Sequence, residues 1–520
     1  MGHETEEGGG GPARRVVLGL GAAAAFAALP GVGARAAEGD VRARRTPLDV
    51  VAENALPGAA DWRITRTGSA RAVEGFAERV SVLAGQPLGL RVSTSSASYT
   101  VSAYRMGWYG GRRARLVWRS GALPGVRQPG AAMDGATRMA RAPWKRTALI
   151  DTTGWPEGGY LLRLDTTDGR AQRFVPVTVR SPEVVGRTVL VNAVATWQAY
   201  NRWGGADLYK GKTGKKGSRA LKVSFDRPYA NAQGAGQFLV YEAPLIALAE
   251  ELGLPLAYTT GVDVALDPQA VAGASAVVSL GHDEYWSPEQ RLHVTSARDA
   301  GSNLAVLGAN CCYRRIRFED SPVGPDRVAV CYKDDYAEDP GFRRGLPATN
   351  DFRRGPDPDP ESALLGVIYA GYPVDAPYVV TNPGHWLLAG TGARAGDAFE
   401  HLVGVEFDRV NLAHPTPRPL EILSRSPVVC KGRPSYADTA YVTLPGGAAV
   451  FATGTMRWVE ALDASGPAGG RANHGLDARA AHFTRTVTAN VLRAFADGPA
   501  GFDRPAEDNV ADPLGTAPAP

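Results

Sequence analysis

The sequence lacks the charge excess that marks a general nucleic-acid-binding protein. Its formal net charge over 520 residues is only +4, so no nucleic-acid partner is predicted. No internal repeat is evident either. Glycine, with 62 residues, and proline, with 38, are by contrast abundant and predict many loops. The length allows more than one domain and a large core.

Cysteine is scarce, with four residues at positions 311, 312, 331 and 430. Their spacing matches no zinc-binding pattern, so a structural zinc site of the usual kind is not predicted. Outside the cytoplasm one disulfide is allowed, joining Cys331 to Cys311 or Cys312. The sequence does not choose between these two pairings.

Long hydrophobic runs are absent beyond the N-terminus, so no later stretch is predicted to span a bilayer. At the N-terminus, an arginine pair at 14–15 precedes an apolar run that ends at Leu29. Ala34 and Ala36 then supply the small residues of a signal-peptidase cleavage site. The run is too short and too rich in glycine and alanine for a membrane anchor. We therefore predict that residues 1–37 are a cleaved twin-arginine export signal, which leaves the mature protein outside the cytoplasm and free of the membrane.

The hydrophobic pattern divides the remaining chain into two domains. After a predicted linker at 38–60, residues 61–183 contain short, partly alternating apolar runs separated by glycine and proline, which is typical of a β-sandwich. Residues 184–497 alternate buried strands with helices and predict an α/β domain with a doubly wound parallel sheet. Within it, residues 317–440 have the composition of a loop-rich insertion. Residues 498–520 are predicted to be a disordered tail.

Polar residues follow three of the predicted parallel strands. Asn192 ends the first strand, His282 and Glu284 follow the third, and Asn310 follows the fourth. Because ligands of open α/β sheets bind beyond the carboxyl ends of the strands, we predict that these side chains surround one cleft. The alternative is that His282 and Glu284 are solvated loop residues.

An aromatic and glycine cluster at residues 104–111 lies on a predicted strand-to-turn segment. Such a cluster could bind the face of a sugar. We favour the interpretation that it packs a hairpin, which is the more frequent use of aromatic residues at such positions.

Six segments, taken together and in order, resemble the large-subunit family of N,N-dimethylformamidase over about residues 80–495. The segments are residues 196–209, 225–229, 281–286, 308–313, 404–409 and 454–458. The resemblance implies a β-sandwich followed by an α/β domain similar to class I glutamine amidotransferases. It also implies a small-molecule amide as substrate, and it leaves open whether a small subunit or a homo-oligomer is formed.

The resemblance further implies a single iron ion held by two tyrosines and a glutamate, which match Tyr200, Tyr209 and Glu284. Phenolate and carboxylate oxygens are hard donors that suit ferric iron. The alternative for the two tyrosines is that they are ordinary core residues.

The same resemblance places His282 and Asn310 beside the metal and makes Glu406 a second catalytic carboxylate. Glu406 or His282 could then transfer a proton, and Asn310 could donate a hydrogen bond to the developing oxyanion.

Three functions follow from the sequence, and the leading one is an exported, metal-dependent hydrolase of a C–N amide bond. The second is a hydrolase with Cys311 or Cys312 as nucleophile, although neither lies in a nucleophile elbow. The third is a secreted, non-catalytic protein that binds a carbohydrate or another ligand.

Overall fold

The computed structural model describes residues 47–463 and 474–510. The predicted export signal at residues 1–37 lies outside the described residues, as do the start of the predicted linker and the last ten residues of the predicted tail. Within the described ranges, no helix is long and apolar enough to cross a membrane.

Two antiparallel-rich sheets occupy the first part of the described chain, one of three strands and one of six. The three-stranded sheet contains, in sheet order, Val73–Ala77, Leu88–Thr94 and Ala148–Ile150. The six-stranded sheet contains Ser81–Leu83, Gln172–Arg180, Gly158–Thr166, Ser98–Met106 and Ala114–Arg119, with Leu123–Pro124 paired to Ser98–Met106. Apolar side chains of both sheets, among them Val92 and Leu164, are buried in one shared core. The short, partly alternating apolar runs of this region are thus β-strands, as predicted.

A seven-stranded sheet forms the centre of the rest of the chain. In sheet order its strands are Leu256–Thr260, Thr188–Asn192, Ala276–Ser279, Asn303–Val306, Ala449–Ala452, Arg433–Thr443 and Leu420–Cys430. The first five are parallel, and the last two are antiparallel to their neighbours. The molecule is therefore a mixed α/β protein, and the four predicted parallel strands are confirmed.

Both faces of the central sheet are buried, because successive residues of one strand enter different cores. Val277 packs in one core with Val294 of the helix Pro288–Asp299. The next residue, Val278, packs in the other core with Val491. The helices are Val50–Asn54, Val194–Ala199, Phe238–Tyr241, Ala243–Glu251, Gly261–Leu266, Pro288–Asp299, Ser362–Leu365, Trp458–Ala461, Ala478–Ala496 and Ala500–Asp503. Burial on both faces explains why the parallel strands are continuous apolar runs.

The loop-rich interpretation of residues 317–440 is wrong for much of this region. Its strands are Arg317–Ser321, Gly324–Val330, Ile368–Val379, Ala398–Arg409, Leu420–Cys430 and the first part of Arg433–Thr443. The long strands Ile368–Val379 and Ala398–Arg409 form a two-stranded antiparallel sheet, in which many positions remain partly exposed. Strands of this kind carry prolines and charges, so their composition resembles that of loops.

The predicted linker contains a folded helix, Val50–Asn54. Its Glu53 side chain is buried and accepts hydrogen bonds from Tyr109 and Arg115, at 2.7 Å each. The sequence did not reveal this helix, because the partners that fix Glu53 lie more than fifty residues further along the chain.

The predicted disordered tail is also folded as far as residue 510. Ala500–Asp503 is helical, and Asp508 accepts hydrogen bonds from the Arg418 side chain. A tail rich in alanine, proline and aspartate has no local structural signal, and the ion pair with a distant arginine is a tertiary contact.

Candidate functional site

The site is built on the loops that follow two neighbouring strands of the central sheet. Ala276–Ser279 and Asn303–Val306 pair in parallel, so they end at the same edge. His282 and Glu284 follow the first strand, and Asn310 follows the second. Parallel pairing therefore brings the three side chains into one region, as strand order alone requires.

Two glycines allow these loops to approach closely. A Cβ atom on Gly308 would lie 2.4 Å from the carbonyl oxygen of Gly281, which is too near for any side chain. A larger residue at position 308 would therefore push the Asn310 loop away from the His282 loop.

A closed turn brings Tyr200 and Tyr209 together. The helix Val194–Ala199 ends immediately before Tyr200. The chain then returns, since the Leu208 N–H donates to the Ala199 carbonyl at 3.1 Å. The two phenol rings stack with centroids 4.6 Å apart, and their hydroxyl oxygens are 2.9 Å apart.

Glu284 accepts hydrogen bonds from both tyrosines. The Tyr200 hydroxyl donates to its Oε2 at 2.6 Å, and the Tyr209 hydroxyl lies 2.7 Å from Oε1 and 2.5 Å from Oε2. The Glu284 side chain is only 2% exposed. Two phenols and one carboxylate thus converge in a nearly water-free place.

His282 joins this group to Glu406 and Asn310. Its Nε2 lies 3.7 Å from Glu284 Oε2 and 3.7 Å from Glu406 Oε2. Asn310 Nδ2 donates to Glu406 Oε2 at 2.8 Å. Glu406 belongs to the strand Ala398–Arg409, so a segment outside the central sheet completes the site. The six residues that the sequence assigned metal-binding or catalytic roles lie in one connected cluster.

Asn192 does not take part, contrary to the prediction. It is the last residue of its strand, and its side chain accepts a hydrogen bond from Thr178 at 2.9 Å and donates to Glu242. Thr178 belongs to the six-stranded sheet. These hydrogen bonds hold the Asn192 side chain toward Thr178 and Glu242 and not toward His282.

The surroundings keep Glu284 ionised. Burial by itself raises the pKa of Glu284, but His282 and the charges of Lys333 and Arg314 outweigh burial and lower that pKa to about 2. Arg314 Nε lies 3.5 Å from Glu284 Oε1. The ionised carboxylate is the form of Glu284 that can bind a metal ion.

The pKa of Glu406 is shifted in the opposite direction. Burial, with the nearby charge of Glu284, outweighs the lowering effect of His282 and raises the pKa of Glu406 to about 7. The pKa of His282 is lowered by burial, but Glu284 and Glu406 more than reverse that effect. The site therefore pairs a permanently ionised carboxylate with a carboxyl group able to exchange a proton near neutral pH, as acid–base catalysis requires.

The two phenols remain protonated in the absence of a cation. Burial and the charge of Glu284 raise the pKa of both Tyr200 and Tyr209 well above the usual value. Deprotonation of these phenols would need a strong positive charge beside their oxygens.

Four further residues, which the sequence did not single out as site residues, contact the cluster. They are Lys333 over the Tyr209 ring, Arg314 beside Glu284, Gln237 with its Oε1 3.3 Å from His282 Nδ1, and Asp408, which accepts from the Asn310 N–H at 2.8 Å. Asp408 lies within a segment that carries the family resemblance, and Arg314 directly follows one. Lys333 and Gln237 carry no sequence signal.

The donor set fits a small, hard cation. In the part of the chain that the structure describes, no three His, Cys, Asp or Glu side chains are placed to hold a metal. The set formed by Tyr200, Tyr209 and Glu284 is of another kind, since two of its three donors are phenol oxygens. Hard cations prefer oxygen ligands. The tyrosine and glutamate oxygens lie within 2.9 Å of one another, so they are already gathered at one point.

The cysteines form no disulfide and no nucleophilic centre. All four are free, so the disulfide that the sequence allowed between Cys331 and Cys311 or Cys312 is not formed. Cys311 Sγ instead lies 3.6 Å from Ser279 Oγ, and Arg291 Nη1 contacts Cys312 Sγ at 3.3 Å. Burial raises the pKa of Cys312 to about 12 and that of Cys311 well above its usual value, so neither is a ready thiolate.

The aromatic cluster at 104–111 is largely interior. Tyr104 and Tyr109 are 0% and 2% exposed, and the Tyr109 hydroxyl is bonded to Glu53. Their ring faces are not available to a sugar, which favours the packing interpretation.

Comparison with known proteins gives one family. The family model described as N,N-dimethylformamidase beta subunit-like, C-terminal, matches residues 100–474. The matched segment contains every residue of the cluster. No curated protein matches the chain.

Proposed function

Because the chain belongs to the N,N-dimethylformamidase beta subunit-like family, we propose that it is a metal-dependent hydrolase of the C–N bond of a small amide. The observation that carries this proposal is the convergence of the Tyr200, Tyr209 and Glu284 oxygens within 2.9 Å of one another. These three residues would hold one iron ion, since phenolate and carboxylate oxygens suit a hard ferric ion better than a soft metal.

When bound, the ion supplies Lewis acidity toward the amide carbonyl and toward water. Glu406 would accept a proton from the attacking water as the oxygen–carbon bond forms. The same carboxyl group would then return that proton to the nitrogen as the C–N bond breaks, giving a carboxylic acid and an amine.

His282 and Asn310 support Glu406 in this scheme. Asn310 Nδ2 uses one hydrogen on Glu406 at 2.8 Å and has a second hydrogen for a developing oxyanion. His282 Nε2, 3.7 Å from both carboxylates, places positive charge between them. This charge would favour the ionised, proton-accepting form of Glu406.

Two measurements on the purified protein test the proposal. Elemental analysis should find iron in about equimolar amount with the chain, as expected for one three-ligand site. Amine release from a panel of small formamides and acetamides should be lost when the metal is removed and return when iron is restored. Amide hydrolysis that is unchanged in fully metal-free protein would overturn the metal role.

A partner subunit is part of the proposal. The family description names a beta subunit, which implies an assembly with a different chain in at least some members. We propose that this chain works with a small subunit or as a homo-oligomer. Light scattering of the purified protein, with and without co-expressed neighbouring open reading frames, distinguishes these states from a monomer.

Export and the finer fold also belong to the proposal. The arginine pair at 14–15 and the apolar run after it support export by the twin-arginine route. The two sheets that share a core support a β-sandwich over residues 61–183. The parallel sheet, buried on both faces, supports an amidotransferase-like domain over residues 184–497.

A further inference from the structure

Lys333 is a buried lysine whose amine lacks a conventional partner. The residue is 4% exposed, its amine makes no hydrogen bond or ion pair within the described part of the chain, and burial lowers the pKa of Lys333 to about 7. Burying an ammonium group in this way is unfavourable, because the group loses its hydration and gains no ionic bond in return. Its position therefore calls for an explanation.

The ammonium group faces an aromatic ring of the candidate site. Lys333 Nζ lies 3.5 Å from the ring centroid of Tyr209 and 5.7 Å from that of Tyr285. Both distances are within the range of cation–π attraction, and the first is short. Tyr209 is thus the main contact of this charge.

The Tyr209 ring is held from two sides. Tyr200 stacks on it at 4.6 Å between centroids. A stacked ring and an ammonium group at these distances cannot share one face, so Lys333 occupies the face opposite Tyr200. The Tyr209 hydroxyl is left directed at Glu284, to which it donates.

The backbone fixes Lys333 in this place. Its φ angle is +56°, in the left-handed region that a lysine rarely adopts. Its N–H donates to the Thr349 carbonyl at 2.8 Å, and the preceding carbonyl, that of Tyr332, accepts from Arg219 at 2.7 Å. Strained backbone of this kind persists where the surrounding structure holds it, and it is concentrated at functional sites.

We propose that Lys333 is a positioning residue of this site. Its ammonium group clamps the Tyr209 ring against Tyr200 and so keeps the Tyr209 oxygen at Glu284. A second consequence rests on the proposed metal role of Tyr209. The positive charge on the ring face stabilises the electrons of the Tyr209 oxygen and therefore tunes its bond to a bound ion.

The first test needs no metal. Fluorotyrosine is incorporated into the metal-free protein, and the Tyr209 resonance is assigned by loss of the signal in Tyr209→Phe. Lys333→Met should shift this resonance and broaden or average it, because the ring loses both a nearby charge and a clamp. Lys333→Arg retains a cation and should restore most of the wild-type position.

The matched control is Lys222→Met. Lys222 belongs to the strand Lys222–Ser224, and its ammonium group forms an ion pair with Glu319 and not with a residue of the site. This variant should leave the Tyr209 resonance unchanged. If Lys333→Met fails to fold by near-ultraviolet circular dichroism, Lys333→Gln supplies the uncharged side chain. An unchanged Tyr209 resonance in the folded, uncharged variant overturns the proposal.

The second test uses iron-loaded protein and its phenolate-to-iron absorption band. Removing the cation raises the energy of the phenolate electrons, so Lys333→Met should move the band to longer wavelength at equal iron content. Lys333→Arg should stay near the wild type. A band that only loses intensity, in proportion to iron, contradicts the tuning role. Wild-type protein that binds no iron refutes the metal function, while the fluorine measurement still decides the role of Lys333.

Discussion

The hydroxyl oxygens of Tyr200 and Tyr209 lie 2.9 Å apart, and both donate to the same carboxylate oxygen of Glu284. The tyrosines come from one turn that closes on the helix Val194–Ala199, whereas Glu284 comes from the loop after a strand of the central sheet. Two independent parts of the fold thus deliver three oxygens to one point. This relationship is the basis of the first two predictions.

Glu284→Gln should release the metal. The substitution removes the anionic donor and leaves two protonated phenols, so retained iron should fall by more than the roughly 10–100-fold that loss of an outer partner costs. Iron is measured after dialysis against a chelator. Glu289→Gln, an exposed glutamate five residues further on, is the control and should keep its iron. Equal iron in both variants would refute Glu284 as a ligand.

Glu406→Gln should keep the metal but slow turnover. Glu406 makes no direct contact with Tyr200 or Tyr209 in the described hydrogen-bond network, and its role is proton transfer. The expected loss in kcat is roughly 10²–10⁴-fold, with little change in iron content. Steady-state amine release and elemental analysis are made on the same sample. Loss of iron in this variant would instead make Glu406 a ligand.

Replacing the adjacent cysteines should leave activity intact. Cys311→Ala and Cys312→Ala remove buried thiols whose pKa values are raised by burial, so no nucleophile is lost. Amide hydrolysis should persist in both variants, and iodoacetamide should not inactivate the folded wild type. Stoichiometric alkylation of either cysteine with parallel loss of activity would revive the cysteine mechanism.

Glu250→Gln should destabilise the protein strongly. Glu250 and Arg105 form an ion pair at 2.5 Å with both side chains 0% exposed, and the substitution leaves a buried guanidinium without its counter-ion. The expected loss is about 3–5 kcal/mol in the free energy of unfolding. Denaturant titration followed by fluorescence measures it.

The next residue provides the control. Glu251 pairs with Arg485 at 2.7 Å, but its side chain is 28% exposed. Glu251→Gln should therefore change the free energy of unfolding by less than about 1 kcal/mol. Similar losses in the two variants would show that burial of the Arg105 pair is not what stabilises this region.

The N-terminal segment should direct export. Replacing both Arg14 and Arg15 with lysine should keep the protein in the cytoplasm, because the twin-arginine route requires the arginine pair. Mass spectrometry of exported wild-type protein should find a mature N-terminus within a few residues of Ala37. An exported protein that begins at Met1 would contradict cleavage.

The sequence by itself determined the elements whose signal is local. Strands such as Ala276–Ser279 are continuous apolar runs, and the helix Pro288–Asp299 begins with Ser287 and Pro288, so both were predictable from neighbouring residues alone. Parallel order then placed His282 and Asn310 at one edge. The family resemblance, carried by ordered segments, added Tyr200 and Glu406.

Tertiary structure alone decided which distant side chains meet. Asn192 is bonded to Glu242 rather than to His282, because another sheet packs against its strand. The four cysteines are free, and Cys311, Cys312 and Cys331 contact Ser279, Arg291 and the Arg315 carbonyl instead of one another. Lys333 lies over Tyr209 although no periodicity links them. Local patterns depend on a few adjacent residues, whereas these contacts depend on how whole sheets and loops pack, which adjacent residues do not encode.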